Sequence, residues 1–141
     1  MGSIQKSATL GYSRDVVWEA LTNSEELAAW LMPNTFEPIV GHVFTFRTDP
    51  GPGFDGTVNC EVLALVPKQH LSIAWRAQGV DTVVDFRLSD CEHGTLLELQ
   101  QTGFRASQIV LKLFLSLGWR RLLRRKLVAH IGHKEAIAHG A

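Results

Sequence analysis

Cysteine is scarce in this sequence, and its scarcity excludes two kinds of small protein. Cys60 and Cys91 are the only two cysteines among 141 residues, too few for the disulfide framework of a small secreted domain. Neither belongs to a CxxC pair or to a Cys/His spacing that is typical of zinc sites. We therefore expect two reduced thiols and a cytoplasmic protein that is stabilised by its hydrophobic core.

Long apolar runs and catalytic signatures are missing as well. The stretch IVLKLFLSL, residues 109–117, is too short to span a bilayer, and residues 1–13 lack the apolar core of a signal peptide. No GxSxG or HExxH motif occurs. With 45% hydrophobic residues, the chain matches one domain over residues 1–141. The sequence indicates no integral membrane segment, no cofactor and no catalytic residue.

The net charge is zero, but the charges are unevenly distributed. Residues 1–106 contain seven Lys/Arg and thirteen Asp/Glu, whereas residues 107–141 contain seven Lys/Arg and one Asp/Glu. A nucleic-acid-binding domain normally carries a basic excess that nothing in the domain compensates. We therefore predict that the basic segment docks on its own acidic body, and we expect no nucleic-acid partner.

Local patterns near the N-terminus predict one strand and two short helices. IQKSATLGYS has the mixed pattern of a short strand, and Ser13 offers a hydroxyl to cap the helix RDVVWEALT. Asn23 and Glu26 have the spacing of a capping box for a second helix, EELAAWL, which Pro33 ends.

From Thr35 the apolar period changes to two, which predicts strands. The predicted strands are TFEPIV, HVFTFRT, FDGTVNCEVLALV, HLSIAWRA, DTVVDFRLS and GTLLELQQT. Their connections are of hairpin length, which favours an antiparallel meander over a parallel sheet.

A long helix is predicted after Phe104, from about Ser107 to Ala138. At ~100° per residue one arc of this helix contains Trp119, Leu122, Leu123, Leu127 and His130. The opposite arc contains Arg120, Arg121, Arg124 and Arg125. We expect the leucines to face the sheet and the arginines to form a solvated helix face. Val128 and Ile131 fall on the arginine side, where exposed apolar residues would indicate a partner surface or self-association.

This order of elements resembles the helix-grip fold of the START-like, Bet v 1-like (SRPBCC) superfamily. The closest similarity is to the branch named after the activator of Hsp90 ATPase, and it covers nearly the whole chain. The similarity is carried by VVWEALTNSEELAAWLMP, GHVFTF, GTVNCEVLALVPKQHLSIAW, GTLLELQQTGF and the GW that opens the last helix. It implies an α+β fold in which a curved antiparallel sheet wraps around the terminal helix and leaves a cavity for an apolar small molecule.

The candidate ligand-binding residues are those that periodicity places on the inner faces of the sheet and helix. They are Trp30, Phe44, Phe46, Trp75, Phe86, Leu99, Gln101, Trp119, Leu123, Lys126 and His130. Gln101, Lys126 and His130 would orient the ligand, and the aromatic residues would supply contact area. The alternative is that the large side chains fill a dry core, with Lys126 extending to the rim and His130 bonded to a backbone carbonyl. FRTDPGPGFDG is interpreted as a loop at the cavity mouth.

A metal site is a weaker interpretation. His130 and His133 lie one helical turn apart with Glu135 and His139 nearby, but their spacing specifies no third ligand. The functions that remain are a binding module for a small hydrophobic ligand, a chaperone-associated interaction domain, and a cyclase-like or hydrolytic enzyme. The enzyme would need an acid/base pair in the cavity.

Overall fold

Six antiparallel strands form one curved sheet within residues 2–52 and 54–140, which the computed structural model describes, residues 138–140 by their backbone alone. The strands are β1 (Gly2–Leu10), β2 (Val43–Arg47), β3 (Thr57–Val66), β4 (His70–Ala77), β5 (Val80–Cys91) and β6 (Gly94–Phe104). Their order in the sheet is β1-β6-β5-β4-β3-β2. The predicted meander is confirmed for β2 to β6, and β1 pairs with β6 at the far edge.

Two short helices follow β1, as predicted. They are α1 (Arg14–Thr22) and α2 (Ser24–Trp30). The Val16 N–H donates to the Ser13 hydroxyl, and the Glu26 N–H donates to the Asn23 side chain at 3.1 Å. Both caps satisfy N–H groups that have no partner within their own helix.

The strand predicted for TFEPIV, residues 35–40, is wrong, because this segment is a loop. Only its start follows the sheet: the Thr35 N–H donates to the Thr45 carbonyl, and the Thr45 N–H donates to the Thr35 hydroxyl. The Phe36 N–H already donates to the Asn34 side chain instead of to the sheet, and Pro38 has no N–H with which the segment could rejoin the ladder.

The C-terminal helix lies across the concave face, and one turn of it is wider than the rest. It consists of α3 (Ile109–Arg121), a π-helical turn (Leu122–Lys126) and α4 (Leu127–Gly140). In the π turn the Leu127 N–H donates to the Leu122 carbonyl, five residues back. This agrees with the α+β helix-grip architecture that the sequence predicts. No helix of the described residues is both long and apolar enough to cross a membrane.

The π turn explains a wrong prediction about Ile131, which is fully buried rather than exposed. Five residues at ~4.4 per turn advance the helix by about 90° less than five residues at 3.6 per turn. Consequently Trp119, Leu123, Leu127 and Ile131 stay on one buried face, spaced by four residues. Val128 and all four arginines are exposed, as expected.

A buried chain of hydrogen bonds attaches the helix to the middle of the sheet. The Trp119 indole N–H donates to Gln101 Oε1 at 2.8 Å, and Gln101 Nε2 donates to the Thr82 hydroxyl at 2.9 Å. The Thr82 hydroxyl donates to the Trp75 carbonyl at 2.8 Å. Gln101 is fully buried, so its amide is satisfied entirely by protein groups.

We expect Gln101→Leu and Trp119→Phe each to lower the free energy of unfolding by about 1–3 kcal/mol, because each leaves a buried polar partner unsatisfied. The double variant should lose less than the sum of the two, with a coupling of about 1 kcal/mol. Urea unfolding of the four proteins measures this cycle. If the loss in free energy of unfolding of the double variant equalled the sum of the two single losses, the hydrogen bond would not be what fixes the helix.

The two thiols differ in their surroundings. Cys60 is buried in β3, whereas Cys91 is half-buried at the end of β5, and both are free. Burial raises the pKa of the Cys60 thiol to about 12, an effect that the nearby Arg76 charge only partly opposes. At about pH 8 roughly one Cys60 side chain in ten thousand is therefore a thiolate, the reactive form.

Iodoacetamide should accordingly modify Cys91 and spare Cys60 in the native protein at about pH 8, as read by peptide mass spectrometry. Cys91→Ser is the control: it should be nearly inert when folded and should react at one site in guanidinium. Alkylation of native Cys60 at the rate seen in the denatured chain would show that its burial is wrong.

Candidate functional site

An open cavity of about 690 Å³ lies at one end of the sheet, beneath α3. The start of β3, the end of β4 and the start of β5 meet there, since adjacent strands run antiparallel. The lining residues are Met32, Thr48, Asp49, Gly51, Pro52, Phe54, Val58, Trp75, Ala77, Gln78, Val80, Leu111, Phe114 and Leu115.

The helix forms the roof of this cavity and is attached on either side of it. Before α3, Gln108 Nε2 donates to the Gly79 carbonyl, and Gln108 Oε1 accepts from the Arg105 N–H at 2.8 Å. The next attachment, which is buried, is Trp119, about 16 Å along the helix at ~1.5 Å per residue. Leu111, Phe114 and Leu115 lie between the two attachments. Their spacing of three and four residues aims them at the cavity together.

The loop between β2 and β3 forms the cavity mouth, as the sequence predicts for FRTDPGPGFDG. Gly51 and Phe54 exchange two backbone hydrogen bonds of 2.9 and 3.0 Å, and the Thr48 N–H donates to the Gly56 carbonyl at 2.8 Å. Gly56 has a φ of +87°, and a Cβ there would overlap the Thr48 carbonyl oxygen. The loop thus holds Phe54 against the cavity; Gly53 lies outside the described residues.

The lining is apolar except at the mouth. Among the described lining residues, Asp49 has the only ionisable side chain, and Thr48 and Gln78 are polar but uncharged. An apolar wall with a few polar groups at one side is typical of small-molecule sites. The carboxylate disfavours an anionic ligand, because like charges repel.

Beyond Trp75, aromatic side chains occupy the space between helix and sheet in the part of the chain that the structure describes. A series of aromatic rings in contact runs through this space. The distance between ring centroids is 5.1 Å for Phe36 and Phe44, and 5.4 Å for each of the next three pairs, Phe44 and Phe46, Phe46 and Trp75, and Trp75 and Trp119. The last pair, Trp119 and Phe86, is separated by 6.0 Å. Beside these rings a void of only about 10 Å³ remains. A void of this size is too small for an organic ligand.

The predicted site residues therefore occupy different places. Trp75 lines the open cavity. The other rings of the series and Leu99, Gln101 and Leu123 are buried and do not line this cavity. Trp30 is also buried, and its indole N–H donates to the Ala20 carbonyl at 2.8 Å, which ties α2 to α1.

Lys126 and His130 lie away from the cavity. Lys126 is exposed. His130 Nε2 donates to Glu26 Oε1 at 2.9 Å, and Lys134 Nζ contacts both oxygens of the same carboxylate. Since a carboxylate only accepts, the Nε2 proton is assigned by this contact. His130 and Lys134 thus join α4 to Glu26 on α2. The partner of His130 is a carboxylate rather than the backbone carbonyl that the alternative interpretation expected.

The possible metal cluster is not assembled within the part of the chain that the structure describes. No group of three or more His, Cys, Asp or Glu side chains there could hold a metal ion. His133 is exposed, and the side chain of His139 lies outside the described residues.

Sequence reasoning did not identify most of the lining residues. Leu111, Phe114 and Leu115 belong to IVLKLFLSL, a stretch that is apolar on nearly every side of the helix. A helix that is apolar all round has more than one face to cover. This all-round apolar pattern was the signal by which the lining residues of α3 could have been found. An aromatic residue, Phe54, within a Gly/Pro-rich loop was a second such signal.

The sequence profile described as "Activator of Hsp90 ATPase homolog 1-like protein" matches residues 11–132. Among solved structures, the chain is similar to protein MLL2253 from Mesorhizobium loti, with 30% identity, a TM-score of 0.87, and coverage of 94% of this chain and 98% of that one. Protein BH1534 from Bacillus halodurans has 26% identity and a TM-score of 0.80, with 93% and 97% coverage.

The Aha1 dimer from Colwellia psychrerythraea shares the fold at 19% identity and a TM-score of 0.73, with 87% and 91% coverage. No curated protein sequence matches the chain. Because the profile match spans most of the sequence and agrees with the observed fold, the chain belongs to the activator of Hsp90 ATPase homolog 1-like family.

Proposed function

We propose that this protein binds a small, mainly apolar molecule in the cavity beneath α3. The observation that carries the proposal is an open space of about 690 Å³ lined almost entirely by apolar side chains. Ligand sites of drug-sized molecules typically measure about 300–1,000 Å³. Aromatic and aliphatic walls favour an apolar ligand because binding removes apolar surface from water, at about 25 cal/mol per Å².

Two parts of the cavity wall are held by contacts within the protein, which favours binding over collapse. Trp75 is held by its contacts with Phe46 and Trp119, and the roof is attached at Gln108 and Trp119. Because these groups are already ordered, a ligand would lose little affinity to ordering of the site.

The polar groups at the mouth suggest the chemistry of the ligand. Asp49, Thr48 and Gln78 can accept hydrogen bonds from a hydroxyl or amine at one end of the molecule. The ligand class we propose is therefore neutral or weakly basic, with an apolar body and one donor group.

A binding role suits this lining better than catalysis. The described lining provides one carboxylate and no second ionisable group, whereas acid/base chemistry uses a positioned pair.

The family description supports a second candidate, an interaction with an Hsp90-type chaperone, which stimulation of that chaperone's ATPase rate would reveal. The free thiols suit the reducing cytoplasm, where we propose that binding occurs.

The test is a titration with N-phenyl-1-naphthylamine, a neutral fluorescent probe. We expect saturable binding by the native protein and energy transfer from Trp75. Ala77→Phe and Leu111→Trp should each weaken binding about tenfold or more, because they fill the cavity from the sheet and from the helix.

The matched controls are Ala29→Phe and Leu113→Trp, which make the same changes at exposed positions outside the lining. Circular dichroism verifies that all four variants fold. Absence of saturable probe binding in the native protein, or equal losses in the fillers and controls, would refute the proposal.

A further inference from the structure

The first half of α3 exposes a large apolar surface to solvent, mostly on the side that faces away from the cavity; Phe114, at the border, also lines the cavity. The side chains of this surface, the apolar patch, are between 58% and 77% exposed: Ile109, Val110, Leu113, Phe114 and Leu117. Isolated exposed apolar residues are normal, but a contiguous group on one helix marks an interaction surface.

The arginines continue the same helix face. Leu117 is followed at three and four residues by Arg120 and Arg121, and these are followed at four residues by Arg124 and Arg125. All four arginines are exposed. We call these four residues the arginine patch. One face of the helix is thus apolar along its first three turns and strongly basic along the next two.

No acidic residue compensates this face from the helix itself. Residues 106–134 contain no Asp or Glu, and Glu135 is the single acid between 106 and 141. Arg120 and Arg121 form no hydrogen bond or ion pair within the described chain, and the Arg124 guanidinium reaches only the Ser7 carbonyl, at 3.5 Å. The partner that this charge attracts is therefore anionic.

We propose that this face docks on the surface of an anionic lipid bilayer. Apolar side chains that enter the membrane interface and basic side chains that contact anionic head groups both strengthen the binding of a helix to an anionic bilayer. The apolar patch would enter the boundary between head groups and acyl chains, and the arginine patch would contact lipid phosphates.

A bilayer fits both patches better than the other partners. A second copy that covered the apolar patch would bring a basic helix with seven Lys/Arg and one acid, Glu135, in residues 107–141, which is too few carboxylates to pair with these arginines. Nucleic acid would satisfy the arginines but leave Leu113 and Leu117 in water. Phe114 belongs to the apolar patch and also lines the cavity, so docking would place the roof of the cavity beside the lipid.

The test is co-sedimentation with vesicles of phosphatidylcholine and phosphatidylserine at about 7:3, and with phosphatidylcholine alone. We expect the native protein to bind the anionic vesicles and to be released as salt is raised from about 0.05 to 0.5 M. Leu113→Gln with Leu117→Gln, and separately Arg120→Gln with Arg121→Gln, should each weaken partitioning about tenfold or more.

Two double variants serve as matched controls. Ile39→Gln with Val40→Gln makes the same apolar-to-polar change at exposed positions far along the chain. Arg47→Gln with Lys6→Gln removes two positive charges from the sheet. Both should stay within about twofold of the native protein.

Three results would overturn membrane docking: no binding to anionic vesicles, equal binding to neutral vesicles, or equal losses in the controls. A concentration-dependent dimer that the Leu113/Leu117 variant abolishes, without vesicle binding, would assign the face to a second copy instead. Probe titration without vesicles tests the cavity separately, because the apolar and arginine double variants should retain probe binding.

Discussion

The hydrogen bond between Trp119 and Gln101 determines how the long helix lies on the sheet. It joins an indole N–H to an amide that is itself held by Thr82, so it fixes both position and rotation of the helix at one point. On the C-terminal side of this point the helix packs closely. On the N-terminal side it extends over open space to Gln108. The boundary between core and cavity therefore lies at a polar contact, while aromatic rings fill the closed part.

The closely packed half depends on the π turn. Without the wider turn, a four-residue spacing would rotate by about 40° at each step, and Ile131 would turn away from the sheet. The turn keeps Trp119, Leu123, Leu127 and Ile131 in register with the concave face. It also lets His130 and Lys134 reach Glu26 on α2. Packing and ion pairing thus act together to hold α4, whereas among the described residues no side-chain hydrogen bond or ion pair joins residues 109–118 to the sheet.

The fold could be predicted from sequence because period-two strands, helix caps and hairpin-length connections act locally. The loop at residues 35–40 could not be distinguished from a strand by alternation, since its outcome depends on Pro38 at an edge. The burial of Ile131 could not be predicted, because it depends on the π turn, and a prediction that rotates every residue by 100° assumes a regular α-helix. Periodicity also placed Trp75 and Trp119 inward correctly. It could not show that Trp119 closes the space with Phe86 and that the opening lies beyond Trp75.

The exposed apolar surface and the cavity have a common physical origin in the first half of α3. Its sequence is apolar on almost all sides, so a single contact with the sheet could not cover it. In the structure one side lines an unfilled cavity and the other faces solvent, and Phe114 belongs to both. Exposure of either apolar surface to water is unfavourable. A ligand in the cavity would cover the inner side of this segment, and a lipid bilayer would cover its outer side. Both proposals therefore concern the first half of α3, one on each of its two sides.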